Sequence, residues 1–214
     1  MKNIKTSILT LAFLSVSGFA ALSMDPKDDK ISENITIIRQ EKIISKYPNT
    51  EQIYKIVGLW EEKVSLGVNN VVSKDNYEWA KFFTDSYIKE NGKSLGTEFK
   101  IIANKERPEE CFIKSNWGEE SYLSVKLVEK GSYQWAFFGD DIYNKKKYGN
   151  SFILIPNHEI KGEFFIKSDW GVESYLSIDG KLNKGEVSAF FGTEKYINSN
   201  KKYKKISFSF EDRF

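Results

Sequence analysis

Apolar and polar residues alternate in short runs from about residue 53 to the end of the chain. Two such runs are SFILIP, residues 151–156, and SFSF, residues 207–210. Alternation with a period of two is typical of strands that bury one face. Between the runs, Gly, Asn, Asp and Lys form turn-like clusters at intervals of about 8–12 residues, as in all-β domains. The pattern therefore predicts an all-β fold built from short strands.

One strand–turn–strand pattern occurs twice with few changes. Residues 112–125 read FIKSNWGEESYLSV and residues 165–178 read FIKSDWGVESYLSI, which differ at three positions. A more diverged copy lies upstream, where Trp60 aligns with Trp117 without a gap. Internal repetition of this kind indicates the architecture, because each repeat forms one supersecondary unit that packs against its neighbours.

The three copies divide the chain into units of about 53 residues, at about 53–106, 107–160 and 161–214. Each unit contains four strand-like segments separated by polar turns. Twelve strands in three units predict a β-trefoil, in which a six-stranded barrel is capped by three hairpins. A propeller is disfavoured because three blades fall below the usual range of about four to eight, and a solenoid because no end-capping repeats are visible.

The residues before the repeats have a different composition. Lys2 and Lys5 precede an apolar run and small residues, which predicts a secretory signal peptide over 1–23, with a retained anchor as the alternative. The segment 24–52 is predicted to be an N-terminal arm, either a helix from about Ser32 to Tyr47 or a loose tether. We therefore expect a secreted, extracellular protein (periplasmic if the source is Gram-negative) and no membrane insertion of the mature chain.

Charge and cysteine content narrow the possible partners. Residues 1–23 contain two of the 32 basic residues and no acidic ones, so the remainder carries 30 basic and 30 acidic residues. A net charge of zero argues against a nucleic-acid partner. Cys111 is the single cysteine, so no intrachain disulfide can form, and we expect it to be a small core residue. Asn34 begins a glycosylation sequon, which matters only in a eukaryotic source.

The repeat residues also resemble a known family. The pattern F-I-x-x-x-W-x-x-x-x-Y-L in 112–125 and 165–178 is similar to the repeats of ricin-B-like β-trefoils, and more so to the trefoil domain of insect 30K lipoproteins. Two features depart from these families: Gln134 is adjacent to Trp135, so the Q-x-W spacing of ricin-type repeats fails, and 24–52 is shorter than the insect N-terminal domain. The resemblance implies the fold more strongly than a ligand.

Catalysis has little support in the sequence. His158 is the single histidine, and we expect an ordinary turn residue rather than part of a Ser-His-Asp or Cys-His device. One His and one Cys leave no set of ligands for zinc, and there is no Gly-rich phosphate loop. We therefore predict no enzyme, no catalytic residue, no metal and no cofactor.

The two Trp-Gly turns are the first candidate binding site. An indole ring beside carboxylate or amide groups can stack on a sugar and hydrogen-bond its hydroxyls. The alternative is that both rings fold down to cap the barrel, and Trp60 would then mark a degenerate site. The candidate ligand-binding residues are Trp117, Asn116, Trp170, Asp169, Glu120 and Glu173.

Two Lys-rich segments, 143–149 and 196–205, are the second candidate. We predict that both segments are loops. They form either a basic patch that binds a sulfated glycan or another polyanion, or a solvated face with no ligand. The residues of this predicted patch are Lys145, Lys146, Lys147, Lys201, Lys202, Lys204 and Lys205.

Taken together, these patterns predict a secreted, non-catalytic, lectin-like protein that binds a glycan or an extracellular protein. The alternatives are a protein-binding trefoil, such as a protease inhibitor or a toxin-like interaction factor, and an extracellular storage or lipoprotein-like protein.

Overall fold

The structure is a computed structural model that describes residues 52–69, 72, 76–117, 120–140, 148–200 and 202–212. Its described part contains fourteen strands: β1 (Ile53–Leu59), β2 (Lys63–Val68), β3 (Tyr77–Thr84), β4 (Phe99–Ala103), β5 (Cys111–Ser115), β6 (Ser121–Lys126), β7 (Tyr133–Gly139), β8 (Tyr148–Gly149), β9 (Ser151–Pro156), β10 (Glu163–Ser168), β11 (Ser174–Asn183), β12 (Glu186–Gly192), β13 (Tyr203–Lys205) and β14 (Phe208–Asp212). Two short helices, α1 (Asp85–Asn91) and α2 (Glu194–Ser199), and a 3-10 turn (Gly92–Ser94) complete it. The all-β prediction is confirmed.

The strands form a closed antiparallel β-barrel. A continuous circuit of ten strands runs β1–β2–β3–β7–β12–β11–β10–β9–β5–β4 and returns to β1. β14 pairs with both β1 and β10 and so joins the two ends of the described chain to the same sheet. Closure leaves few strand edges unpaired. Backbone pairing therefore holds the sheet together in a chain that has no disulfide.

The predicted β-trefoil, with twelve strands shared equally among three repeats, is wrong. Fourteen strands are present in the described residues, and ten of them form the closed circuit. The two additional strands, β8 and β13, lie in segments that the sequence analysis assigned to Lys-rich loops. β8 pairs with β6, and β13 pairs with β11. Their residues show no apolar alternation, so only their backbone pairing identifies them as strands.

Both helices were missed because each follows a strand within a polar segment. Thr84 and Thr193 precede α1 and α2, and each hydroxyl accepts a hydrogen bond from the backbone N–H three residues later, at 3.2 and 3.3 Å. A threonine that accepts from the first turn is a common helix N-cap. The threonines at the ends of these strands were therefore the available sequence signal.

The barrel interior is filled by stacked phenylalanine pairs. Phe82 stacks on Phe208, Phe99 on Phe138 and Phe152 on Phe191, with ring centroids 5.5, 5.3 and 5.1 Å apart. All six side chains are fully buried. Each pair joins a strand of one hairpin to a strand elsewhere in the barrel, so the pairs hold its parts together.

Of the remaining sequence predictions, the structure tests the one for Cys111 but not those for the N-terminal residues. Cys111 lies in the core, and burial raises the pKa of its thiol to about 12, which leaves it unreactive at neutral pH. The predicted signal peptide 1–23, the arm up to residue 51 and Asn34 lie outside the described residues. Within the described part of the chain, no helix is both long and apolar enough to cross a membrane.

Candidate functional site: an aromatic groove

The two Trp-Gly turns connect β5 to β6 and β10 to β11, and they have the same local construction. The Ser115 hydroxyl at the end of β5 accepts a hydrogen bond from the Trp117 N–H at 3.1 Å. Ser168 does the same for Trp170 at 3.2 Å. A serine that accepts from the backbone two residues later closes a tight turn. The near-identity of the two sequences therefore specifies one turn geometry used twice.

The predicted carboxylates hold these turns in place. In the second turn, Lys167 pairs with Asp169 at 3.1 Å and with Glu173 at 3.2 Å. The Tyr175 hydroxyl donates to Glu173 at 2.7 Å. In the first turn, Glu120 pairs with Lys114 and accepts from the Tyr122 hydroxyl at 2.8 Å. Because these carboxylates already have partners, they are less available to a ligand than the sequence suggested.

The electrostatics of the second turn give a testable pH dependence. The hydrogen bond from Tyr175, together with Lys167, holds the pKa of Glu173 below its ordinary value of 4.5. A depressed carboxylate pKa means that the stabilisation is complete above 4.5 and is lost as the pH falls through the lower, folded-state value. We expect Glu173→Gln to lower the free energy of unfolding by up to about 1 kcal/mol at pH 7, because the side chain is half exposed.

Urea denaturation at pH 7 and pH 3 measures this effect. The difference between Glu173→Gln and the parent protein should shrink at pH 3. Glu90→Gln, an exposed carboxylate on α1, is the matched control and should change stability little at either pH. An equal loss for Glu173→Gln at both pH values would contradict the assignment.

The two tryptophans differ in exposure. Trp117 is half-buried against the core and rests on Gly96, where a Cβ atom would lie 2.5 Å from the Trp117 Cβ. Asn116 beside it is exposed. Trp170 rests in the same way on Gly149, with a corresponding distance of 2.4 Å, yet its side chain remains 39% exposed. Trp170 is therefore the better placed of the two for contact with a ligand.

Trp170 lines an open groove of about 630 Å³. Four aromatic side chains contribute to it, and we call this set the aromatic groove: Phe112, Tyr122, Tyr148 and Trp170. Its polar lining includes Asn104, Lys105, Glu106, Arg107, Asn150 and Ser151. Phe112 and Tyr122 are in edge-to-face contact, with ring centroids 6.2 Å apart. The groove combines apolar rings with a polar margin, as binding sites commonly do.

Aromatic contacts extend beyond the groove through Phe137, which is buried. Tyr148 contacts Phe137 edge-to-face at 5.2 Å, and Phe137 contacts Tyr77 at 5.5 Å. Tyr77 in turn contacts Trp79 at 5.0 Å, and Trp79 is 42% exposed. Sequence reasoning missed Tyr148 and Trp79, because they come together only when β3, β7 and β8 assemble. The available signal was the spacing of aromatic residues at alternate positions of β3 and β7.

The predicted basic patch is described only in part. Lys145, Lys146, Lys147 and Lys201 lie outside the described residues. Lys202 and Lys204 are exposed. Lys205 pairs with Glu194 at 3.4 Å and lies 3.6 Å from the ring centroid of Tyr175. Lys205 is thus engaged in a cation–π contact, and a polyanion site formed by the lysines together stays a prediction.

Comparison with known proteins places the fold but no family. No family model matches the sequence, and no curated protein matches it. A solved structure of the cytolethal distending toxin from Haemophilus ducreyi is similar, with a TM-score of 0.52 and 12% identity over 78% of this chain and 88% of that one. The cytolethal distending toxin from Actinobacillus actinomycetemcomitans gives a TM-score of 0.53 and 14% identity over 78% and 96%. The similarity shows a shared fold.

These comparisons correct three predictions from the sequence. The resemblance to ricin-B-like β-trefoils and insect 30K lipoproteins is wrong, because the chains that match come from toxins and the fold is the closed barrel described above. The assignment to ricin-B-like lectins is wrong for the same reason. The prediction that the protein is not an enzyme is also wrong, because the single histidine and single cysteine on which it relied do not exclude catalysis in a fold shared with toxin chains.

Proposed function

We propose that the protein is a secreted, toxin-like interaction factor that binds a protein on the surface of a target cell through the aromatic groove. The observation that carries the proposal is the exposed Trp170 in a groove that it shares with three further aromatic side chains, Phe112, Tyr122 and Tyr148. The similarity to toxin chains supports this class of function.

The composition of the groove favours a protein partner. Tryptophan, tyrosine and arginine are the residues that most often dominate binding energy at protein interfaces. Trp170, Tyr122, Tyr148 and Arg107 all line the groove. The Arg107 side chain is largely exposed and pairs with Glu110 at 3.1 Å, which fixes its position at the margin. The groove thus offers apolar anchors with a polar rim, the usual anatomy of an interface.

The surroundings of Trp170 make a sugar a weaker candidate for this groove. A sugar site needs carboxylate or amide groups free to bond hydroxyls beside the ring. Asp169 and Glu173, the carboxylates nearest in sequence, are held by Lys167 and by Tyr175. An apolar side chain of a protein partner can pack on the Trp170 ring without hydrogen bonds to those carboxylates. The structural surroundings therefore support the protein-binding alternative over the lectin-like one.

The nature of the partner can be tested on cells. Fluorescently labelled protein, residues 24–214, should bind saturably to cultured epithelial cells in flow cytometry. Mild trypsin treatment of the cells should remove most of the binding, whereas periodate oxidation of surface glycans should leave it. Loss of binding after periodate with no effect of trypsin would overturn the proposal.

A further inference from the structure

A second pocket of about 500 Å³ lies apart from the aromatic groove. It is lined by the turn after β1 and by the middle of β11, with residues Trp60, Glu61, Asp179, Gly180, Lys181 and Lys202. The pairing of β11 with β12 is interrupted between Asp179 and Asn183. At this irregularity the Gly180 N–H donates to the Lys202 carbonyl at 3.2 Å, which fixes that wall of the pocket.

Asp179 is the distinctive group of this pocket. Among the described residues, no hydrogen bond or ion pair occupies its carboxylate, in contrast to Asp169 at the Trp170 turn. Burial raises the pKa of Asp179, and the positive charge of Lys202 acts in the opposite direction. A half-buried carboxylate without a hydrogen-bond donor is unfavourable, so it gains from a ligand that supplies one.

Trp60 provides an aromatic wall beside this carboxylate. It packs partly against the core, and its indole N–H is buried without an acceptor among the described residues. The N–H of Trp117 is in the same situation, so the indole alone does not distinguish the pocket. The combination of Trp60 with Asp179 distinguishes it, because Glu120, the described carboxylate of the Trp117 turn, is held by Lys114 and Tyr122.

The charges that line the pocket limit the net charge of the ligand that it can bind. Glu61 and Asp179 disfavour an anion, whereas Lys181 and Lys202 disfavour a cation. A neutral ligand with many hydroxyls can donate to the carboxylates, accept from the ammonium groups and place an apolar face on the indole. We infer that the pocket between Trp60 and Asp179 binds a neutral saccharide unit. This inference is independent of the protein-binding groove.

A printed glycan array followed by titration calorimetry tests the inference. The intact secreted chain should bind neutral glycans, and Asp179→Asn and Trp60→Ala should each weaken the binding at least about 10-fold, as expected for loss of a main polar contact or the aromatic wall. Asp169→Asn is the matched control and should leave it unchanged. Thermal melting of Asp179→Asn, a substitution of nearly equal size, checks that the variant is folded.

Three outcomes would overturn the inference: no neutral glycan binds, binding is insensitive to Asp179→Asn, or binding is lost in Trp170→Ala. The last result would move sugar recognition to the aromatic groove. Conversely, cell binding that fails while Asp179-dependent glycan binding remains would reject the proposed function alone.

Discussion

Phe138→Ala should lower the free energy of unfolding by about 3–5 kcal/mol, the usual cost of removing a buried aromatic ring. Phe138 is fully buried and stacks on Phe99 with an interplanar angle of 16°. The loss is a large fraction of the stability of a domain, which is typically about 5–15 kcal/mol. Urea denaturation followed by tryptophan fluorescence measures it.

Phe138→Leu is the control for this prediction, because it keeps most of the volume and removes only the aromatic stack. It should cost clearly less than Phe138→Ala. The double variant Phe99→Ala with Phe138→Ala should cost less than the sum of the two single variants, because the partners share one contact. A loss below about 1 kcal/mol for Phe138→Ala would show that the stacked pairs do not hold the barrel together.

Gly171→Ala should have the second largest effect and should act on both stability and the groove. Gly171 has a φ of 89°, and a Cβ atom there would lie 2.3 Å from the Val128 carbonyl oxygen. That oxygen accepts a hydrogen bond from the Val172 N–H at 3.1 Å, and the Val128 N–H donates to the Trp170 carbonyl at 3.2 Å. An added methyl group would therefore push apart the contact that positions Trp170.

Gly162→Ala separates the two causes of this effect, which are backbone strain at a positive φ and the close contact with Val128. Gly162 has a nearly equal φ of 87°, but nothing lies within 4 Å of an added Cβ atom. It should cost only the backbone strain, about 1–2 kcal/mol. Gly171→Ala should cost about 1–3 kcal/mol more, the usual cost of forced overpacking, and should also weaken cell binding. Equal losses for the two variants, measured by urea denaturation, would contradict the close contact at Gly171.

The alternation of apolar residues located the strands well where one face is buried. SFILIP corresponds to β9 (Ser151–Pro156), and SFSF overlaps β14 (Phe208–Asp212). The pattern failed where pairing depends on backbone alone, in β8 and β13, and the assumption of equal repeats then produced the wrong strand count. Repetition at the level of sequence therefore predicted local turns better than the way in which the strands close.

The candidate site was predictable only in part. Trp170 was identified from its sequence and lies at the groove, whereas Trp117, in an almost identical turn, is packed more closely against the barrel. Both rings rest on a glycine, Gly96 for Trp117 and Gly149 for Trp170, so the turn sequence alone did not predict their different exposure. Asp169, Glu120 and Glu173 looked like ligand-binding groups in the sequence, because their lysine and tyrosine partners become apparent only in the folded turns.

The proposed binding site depends on Trp170, and the contribution of this side chain to cell binding is the most direct measurement. Saturation curves on epithelial cells should show that Trp170→Ala weakens binding at least about 10-fold, the scale of an interface hot spot. Leu59→Ala, at a side chain that is 71% exposed on β1, is the control and should bind like the parent protein. Equal binding by Trp170→Ala and the parent protein would contradict the assignment of the aromatic groove as the binding site.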